Sequence, residues 1–257
     1  MAAGFAAGAS ALGPRLLPGQ SVWIERRPDK AIALEILKPL FRGAPGTTLA
    51  TSVIFASVQL PVARLVRFVA DVPFAHYGGP GRSDNTMGDP YLGAEVRSSD
   101  DRISGELGVR VPLAAHLERN NATIVGIFAD VDRWEAFLSD NLAMSAAINY
   151  RVGGRSGFVM RGRFSPSLWI GTGGAGPARV SLAYCGQFGY EGTAVAAWTR
   201  FTGRAVVGER LFKQLAAGVS LGGGRVRPGA SIRVPLDRDV ADVVDVVFGL
   251  SLSVTLR

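Results

Sequence analysis

Few side chains in this sequence are of types that do covalent chemistry, and their spacing gathers only one set. His76 is followed by Ser83, Asp84 and Asn85, a base, a hydroxyl and an acid in one short stretch. A lipid hydrolase would need that base against the hydroxyl, and nothing in the spacing sets both on one face of a strand. His116, near Glu118 and Asn120, has the same shortcoming. Tyr77-Gly78-Gly79-Pro80-Gly81 has the glycines of a phosphate loop, but neither a Lys-Ser/Thr pair nor a helical pattern follows. The single Cys185 excludes an internal disulfide, and two histidines are too few for a His/Cys metal cluster. The residues therefore describe a chain that is not an enzyme and holds no cofactor or metal. A lipid-modifying enzyme stays as the third reading; it requires His76 or His116 to reach a hydroxyl and a carboxylate.

The remaining charged chemistry is arginine. The formal charge is +7, from 28 Lys+Arg against 21 Asp+Glu. A basic total can mean nucleic acid, yet the arginines stand singly inside apolar segments, without a basic helix or an aromatic RNA-binding signature. Nucleic acid is not an expected partner.

What positions these arginines is two-residue alternation. Val246, Phe248, Leu250, Leu252, Val254 and Leu256 alternate with Gly249, Ser251, Ser253 and Thr255. Phe158, Met160, Phe164, Leu168 and Ile170 oppose Arg161, Arg163, Ser165 and Ser167, and similar copies recur near 31, 103, 142, 180 and 230. Strand side chains point alternately to opposite faces, so each segment has one oily and one polar face. No run of eighteen apolar residues occurs, which argues against a transmembrane helix, although 47% of residues are apolar and the mean hydropathy is +0.21. Candidate strands fall at 31–41, 49–60, 64–76, 88–98, 103–111, 141–151, 156–170, 178–189, 193–202, 210–221, 225–236 and 245–257. Short links follow the even strands and longer ones the odd, notably 77–87 and 112–140, the layout of an outer-membrane barrel. The expected fold is all-β: a transmembrane antiparallel up-and-down β-barrel of about twelve strands. Residues 14–257 form this one domain, and residues 1–13 read as a signal-peptide remnant or a flexible N-terminus.

With the oily face given to outer-membrane lipid, the other face lines a lumen. It takes Glu35, Asp71, Glu95 and Glu106 from the first five strands, and Arg151, Arg161, Arg163, Arg179, Arg200, Arg225, Arg227 and Arg233 from the rest. Such a basic wall favours anionic or dipolar solutes; the competing reading is an Arg–carboxylate network that fills the barrel. Trp169, Tyr184, Phe188, Tyr190, Trp198 and Phe201 lie near strand ends, as an interfacial girdle would. In 122–139 apolar residues recur at helical spacing, predicting a short amphipathic helix in a long external loop. It either packs over the outer rim or acts as a lid or partial plug that narrows the entrance, with Phe128, Trp134 and Phe137 as the closing residues.

Gly88-Asp89-Pro90-Tyr91-Leu92-Gly93-Ala94-Glu95 resembles the strand start of the transporters named for the meta-pathway of phenol degradation, with Asp89 where Asn is commoner. Asp71-Val72-Pro73-Phe74-Ala75-His76 resembles a strand end of the same family. The resemblance covers about thirty residues. It implies an outer-membrane barrel passing small hydrophobic compounds, loosely similar to the long-chain fatty-acid transporters. The expected function is passive passage of small solutes, aromatic or acidic, across a bacterial outer membrane. The runner-up is a closed structural barrel whose external loops bind a partner or surface polymer. Oligomeric state is not legible, because lipid-facing and subunit-facing surfaces are equally apolar.

Overall fold

A computed structural model of the chain describes residues 30–43, 50–113, 120–138, 140–153, 156–172, 177–208, 211–222 and 225–256. The expectations for residues 1–13 and for His116 lie outside these. The strands are β1 (Ala31–Phe41), β2 (Ser52–Pro61), β3 (Val66–Gly79), β4 (Arg82–Met87), β5 (Tyr91–Arg97), β6 (Ile103–Arg110) and β7 (Asn141–Gly153). They continue as β8 (Gly157–Gly171), β9 (Arg179–Glu191), β10 (Val195–Val206), β11 (Leu211–Leu221), β12 (Val226–Pro235) and β13 (Val244–Thr255). Each pairs antiparallel with its neighbour in order, except that β5 pairs with β3 rather than with β4. The sheet closes because β1 pairs with β13, from Ala31 opposite Thr255 to Phe41 opposite Val244. Twelve strands form the closed wall, and β4 is extra, paired only with β3. Closure removes the sheet edges, the condition for a sheet to sit in lipid.

Alternation decides which face is which. On β13, Phe248, Leu250 and Leu252 are exposed outside, while Val247 and Ser253 are buried within. The exposed large residues include Leu34, Leu92, Leu107, Met144, Ile148, Phe164, Leu215 and Ile232, an apolar exterior around the wall. Turns of three to five residues join β2–β3, β5–β6, β7–β8, β9–β10 and β11–β12 at one rim. The other connections, most of them longer, fall at the opposite rim.

Two expectations change. The segment 77–87, read as a loop, is instead the continuation of β3 through Gly79 and its return as β4, turning at Gly81 with φ +69°, a conformation glycine adopts freely. Both faces of β4 are polar (Ser83, Asp84, Asn85), so it carries no alternation to read. The helix expected over 122–139 is shorter: α1 spans Asn121–Ala129, and a 3₁₀ turn covers Trp134–Phe137. Asp130 ends α1 in extended backbone because its carboxylate turns to the guanidinium of Arg133 (2.9 Å). A single-turn helix, α2 (Arg238–Ala241), precedes β13.

Candidate functional site

The loop between β6 and β7 folds into the barrel. The Asn120 side chain caps α1 by accepting from the Thr123 amide (2.9 Å), and its own amide donates to the Asn85 carbonyl of β4 (3.2 Å). The helix thus starts on the extra hairpin. Its buried side, Ala122, Val125 and Ala129, packs with Ala136 and Phe137 against Leu37, Val53, Phe55 and Ala75 of the wall. The Phe137 ring meets Phe55 edge-on at 6.1 Å, and Trp134 lies against Phe212 and Trp169 at 4.4 and 6.2 Å. Phe128 is half-buried at the margin of the same cluster. The buried side of the loop thus lies within the wall.

The stretch that carries the family resemblance is where the loop docks. The Asp89 amide donates to the Ala136 carbonyl (2.6 Å), and the Asp89 carbonyl accepts from Arg110 (3.0 Å). A side chain at Gly88 would collide with that Ala136 carbonyl. Tyr91 lays its ring over Gly93 and Gly108, where a β-carbon would overlap it, and its hydroxyl donates to Glu106 (2.6 Å). Close approach of backbone explains glycine here.

Eight guanidiniums and eight carboxylates are buried among the described residues. Glu35 accepts from Arg133 of the loop and Arg233 of the wall, and both cations also reach Asp130 (2.9 and 2.6 Å). Arg133 further stacks over Phe55, 3.6 Å from its centroid. Glu135 bridges Arg110 (3.3 Å) and Arg204 (2.9 Å). Around the wall, Arg163 pairs with Glu106 (3.1 Å), Arg67 with Glu95 (3.7 Å), and Arg110 with Asp71 (3.7 Å). Glu191 takes both Arg161 and Arg151. Asp130 lies in the loop, outside the strands. Burial works against its charge, but Arg233 and Arg133 outweigh it and hold its carboxyl well below the usual carboxylate range.

Of the residues expected in the lumen, Glu35, Asp71, Glu95, Glu106, Arg161, Arg163, Arg200 and Arg233 are buried inside the barrel, and Arg151 is half-buried. Arg227 is half-buried near the short-turn rim. Arg179 and Arg225 are exposed at opposite rims and join no interior cluster. Sequence reasoning missed Glu191 and Arg204, which share the phase of Cys185 and Arg200 but lie past the expected strand ends. It also missed the loop acids Asp130, Asp132 and Glu135, whose inward position depends on tertiary packing. These acids change the expected field: they meet the surplus arginine of the wall. The girdle reading changes too, since Trp169 and Trp198 point inward and are 4% and 3% exposed. Phe158, Phe188 and Tyr190 do cluster outside, with centroids 5.6 and 5.7 Å apart.

Below the loop's docking point is a polar cavity of about 20 Å³, bounded by Tyr91, Arg110, Asp132, Glu135 and Arg163 and reaching Ser145 and Ser167. It has room for about one water molecule. On the lipid side of the same wall lies an apolar groove of about 790 Å³, ringed by Phe68, Leu92, Leu107, Met144, Leu168 and Val180. Ser145 and Ser167 line this groove as well. Beside this serine pair the β7–β8 ladder lapses: Ser145 pairs with Ser167 and Ile148 with Phe164, while the pairing skips Ala146 and Ala147 opposite Pro166 and Ser165. Proline has no N–H to donate. The Ser165 hydroxyl instead donates to the Ala146 carbonyl (3.0 Å).

The hydrolase grouping does not assemble. The ring nitrogen Nδ1 of His76 contacts Asn85 Oδ1 (2.8 Å), and Asp84 pairs with Arg82 (3.0 Å). Cys185 is buried, with the Thr202 hydroxyl donating to its sulfur (3.6 Å).

No family model matches the chain, and no curated protein sequence matches it. Solved structures do. An outer-membrane channel from Pseudomonas putida F1 superposes with a TM-score of 0.63, over 94% of this chain and 100% of its own, at 8% identity. The chain has the fold of the bacterial outer-membrane β-barrels. The NanC porin gives 0.56 over 87% of this chain and 100% of its own, at 7% identity. LpxR from Salmonella typhimurium gives 0.52 over 88% and 100%, at 9%. Identities this low carry the fold and nothing finer.

Proposed function

We propose that this barrel passes small, largely apolar solutes across the outer membrane, and that they enter through its wall between β7 and β8. The observation that carries the reading is that Ser145 and Ser167 line both the lipid-side groove and the interior cavity. They border the lapse in pairing opposite Pro166. A solute dissolved in the bilayer would collect in the groove by burying apolar surface. From there, one strand pair separates it from the lumen. The loop and its ion pairs occupy part of the interior along the axial route. The resemblance of residues 88–95 to transporters of hydrophobic compounds agrees with this substrate class. Nothing in the chain supplies energy, so flux runs down the gradient.

The test is a tether. Ala146→Cys with Pro166→Cys, in a Cys185→Ser background, places two thiols across the lapse, at positions that continue the β7–β8 register, where oxidation can tie the strands. Uptake of radiolabelled naphthalene by cells carrying the oxidised protein should fall at least fivefold and return on reduction. Equal uptake in both redox states would overturn the wall route, and a large steady wild-type conductance in planar bilayers would favour the axis.

A second reading, a closed structural barrel, is favoured by the pairing of seven of the eight buried arginines with carboxylates. It predicts no naphthalene uptake above that of cells lacking the protein.

A further inference from the structure

We propose that the inner wall from β10 to β13 binds a small organic anion, with Arg200 receiving its carboxylate. Arg200 is 1% exposed, and none of its three guanidinium nitrogens has an acceptor among the described residues. It is the exception in an interior where the other seven buried arginines each have a carboxylate within 4.0 Å. A buried cation without a partner is strongly disfavoured unless something else solvates it.

Arg200 is also not an isolated orphan. Trp198 Nε1, Ser231 Oγ and Ser251 Oγ, on β10, β12 and β13, are buried and equally without partners. The sheet register aligns them. Trp198 stands opposite Gly218, which stands opposite Ser231, and Gly229 opposite Ser251. Arg200 stands opposite Ala216. The strand between the donors, β11, presents only small side chains there, Ala216 and Gly218, and the Trp198 indole lies over Gly218. Three strand spacings span the row, about 14 Å, the reach of a small organic molecule.

The chemistry of the row selects its occupant. Guanidinium and indole N–H groups only donate, so the ligand must accept, and the charge beside them calls for an oxyanion. Trp198, Ala196 and Ala216 form a buried apolar cluster, with the guanidinium 5.4 Å from the Trp198 ring centroid. That patch suits an apolar body on the same ligand. The class is therefore a monocarboxylate on an aromatic or aliphatic frame. Asp132 of the loop, whose Oδ2 has no partner, is the internal carboxylate it competes with. This names a solute class for the transport reading and rests on that reading only for how the anion arrives.

The experiment measures benzoate binding to the refolded full chain in detergent by titration calorimetry, with benzamide as the neutral isostere. Benzoate should bind, and benzamide at least tenfold more weakly. Arg200→Gln should weaken benzoate at least tenfold, Arg200→Lys by less, and Asp132→Asn should tighten it. Should Arg200→Gln fail to fold, Ser231→Ala reads the same site and should weaken benzoate at least threefold. Equal binding of benzoate and benzamide, unchanged affinity in either Arg200→Gln or Ser231→Ala, or no benzoate binding by folded wild type would overturn the site. Naphthalene uptake is scored separately: benzoate binding without uptake keeps this site and ends the transport reading, and uptake without benzoate binding does the reverse.

Discussion

Replacing Arg133 with Met should unseat the loop while leaving the barrel wall intact. Among the described residues Arg133 is the one loop cation in the interior network, 1% exposed, held by Glu35, by Asp130 at 2.9 Å and by the Phe55 ring at 3.6 Å. Met keeps much of the apolar stem and deletes the charge. Arg233 then faces two carboxylates, Glu35 and Asp130, and one negative charge is left uncompensated out of water. Removing one partner of a buried pair costs about 3–5 kcal/mol. Loss of the stacked cation adds up to about 2 kcal/mol where the contact is desolvated, and the two overlap because they share one side chain. Taking about 4 kcal/mol for the seated loop against the displaced one, the opening equilibrium rises about a thousandfold. Amide hydrogen exchange reports such local opening directly. The amides of Asp89, Arg133 and Ala136, bonded to Ala136, Asp130 and Arg133 carbonyls, should exchange faster by that factor. Amides of β8 and β9 should not change. A rise below tenfold at the first three would refute the idea that this arginine holds the loop. Equal acceleration in β8 and β9 would show that the substitution loosens the whole barrel.

Three further outcomes follow from the same geometry. Leu250→Arg, on the outer face at the middle of β13 and 63% exposed, should cost about 2–4 kcal/mol in urea unfolding from phospholipid vesicles; a cost under about 1 kcal/mol would mean that this face does not meet hydrocarbon. Gly88→Val drives a side chain into the Ala136 carbonyl and should cost about 1–3 kcal/mol by overpacking, read as faster proteolysis within residues 121–138; protection equal to wild type would contradict the docking geometry. Asp130 is held below the usual carboxylate range in the folded protein, so its contribution is complete above the unfolded value near 3.8 and is lost only as pH falls through the lower folded value. Exchange of the Arg133 amide should accordingly stay flat in pH-corrected rates from pH 7 to about 5, and marked opening near pH 6 would contradict that sign.

The wall was legible because lipid imposes a rule on every second residue. Leu250 and Leu252 must be apolar, and Ser251 and Ser253 are free to differ, so the strand announces its faces without reference to its partners. The rule stops where lipid stops. The hairpin of β3 and β4 rises beyond the oily belt, and Ser83, Asp84 and Asn85 carry no periodic mark. Strand ends blur for the same reason, which hid Glu191 and Arg204 although they continue an alternation already visible in Cys185 and Arg200. The loop was legible as helical, but the sequence did not decide between a place on the rim and one in the entrance. Ala122, Val125, Ala129 and Phe137 would serve equally well on a rim, and their position is decided by Leu37, Val53 and Phe55, inward residues of strands far away in the chain.

The arginines expose the deeper limit. Read along the chain, β7 to β12 present a row of cations that implies an anion-selective pore. Yet electrostatics is a property of the assembled site, and the compensating charge arrives in Asp130, Asp132 and Glu135, from a segment assigned to the outside. Their entry turns a wall that would attract any anion into one where single positions differ sharply. Arg233 is saturated by two carboxylates, and Arg163 by Glu106 with Asn149 beside it (2.9 Å). Arg200, four residues from Arg204 on the same strand, has none within pairing distance. Selectivity in such an interior would come from Arg200, the cation without a hydrogen-bond acceptor among the described buried arginines, and its neighbouring donors, rather than from the total of arginines. An anion should then compete for one site with one affinity, and a single substitution at Arg200 should remove most of the effect that the whole row was expected to produce.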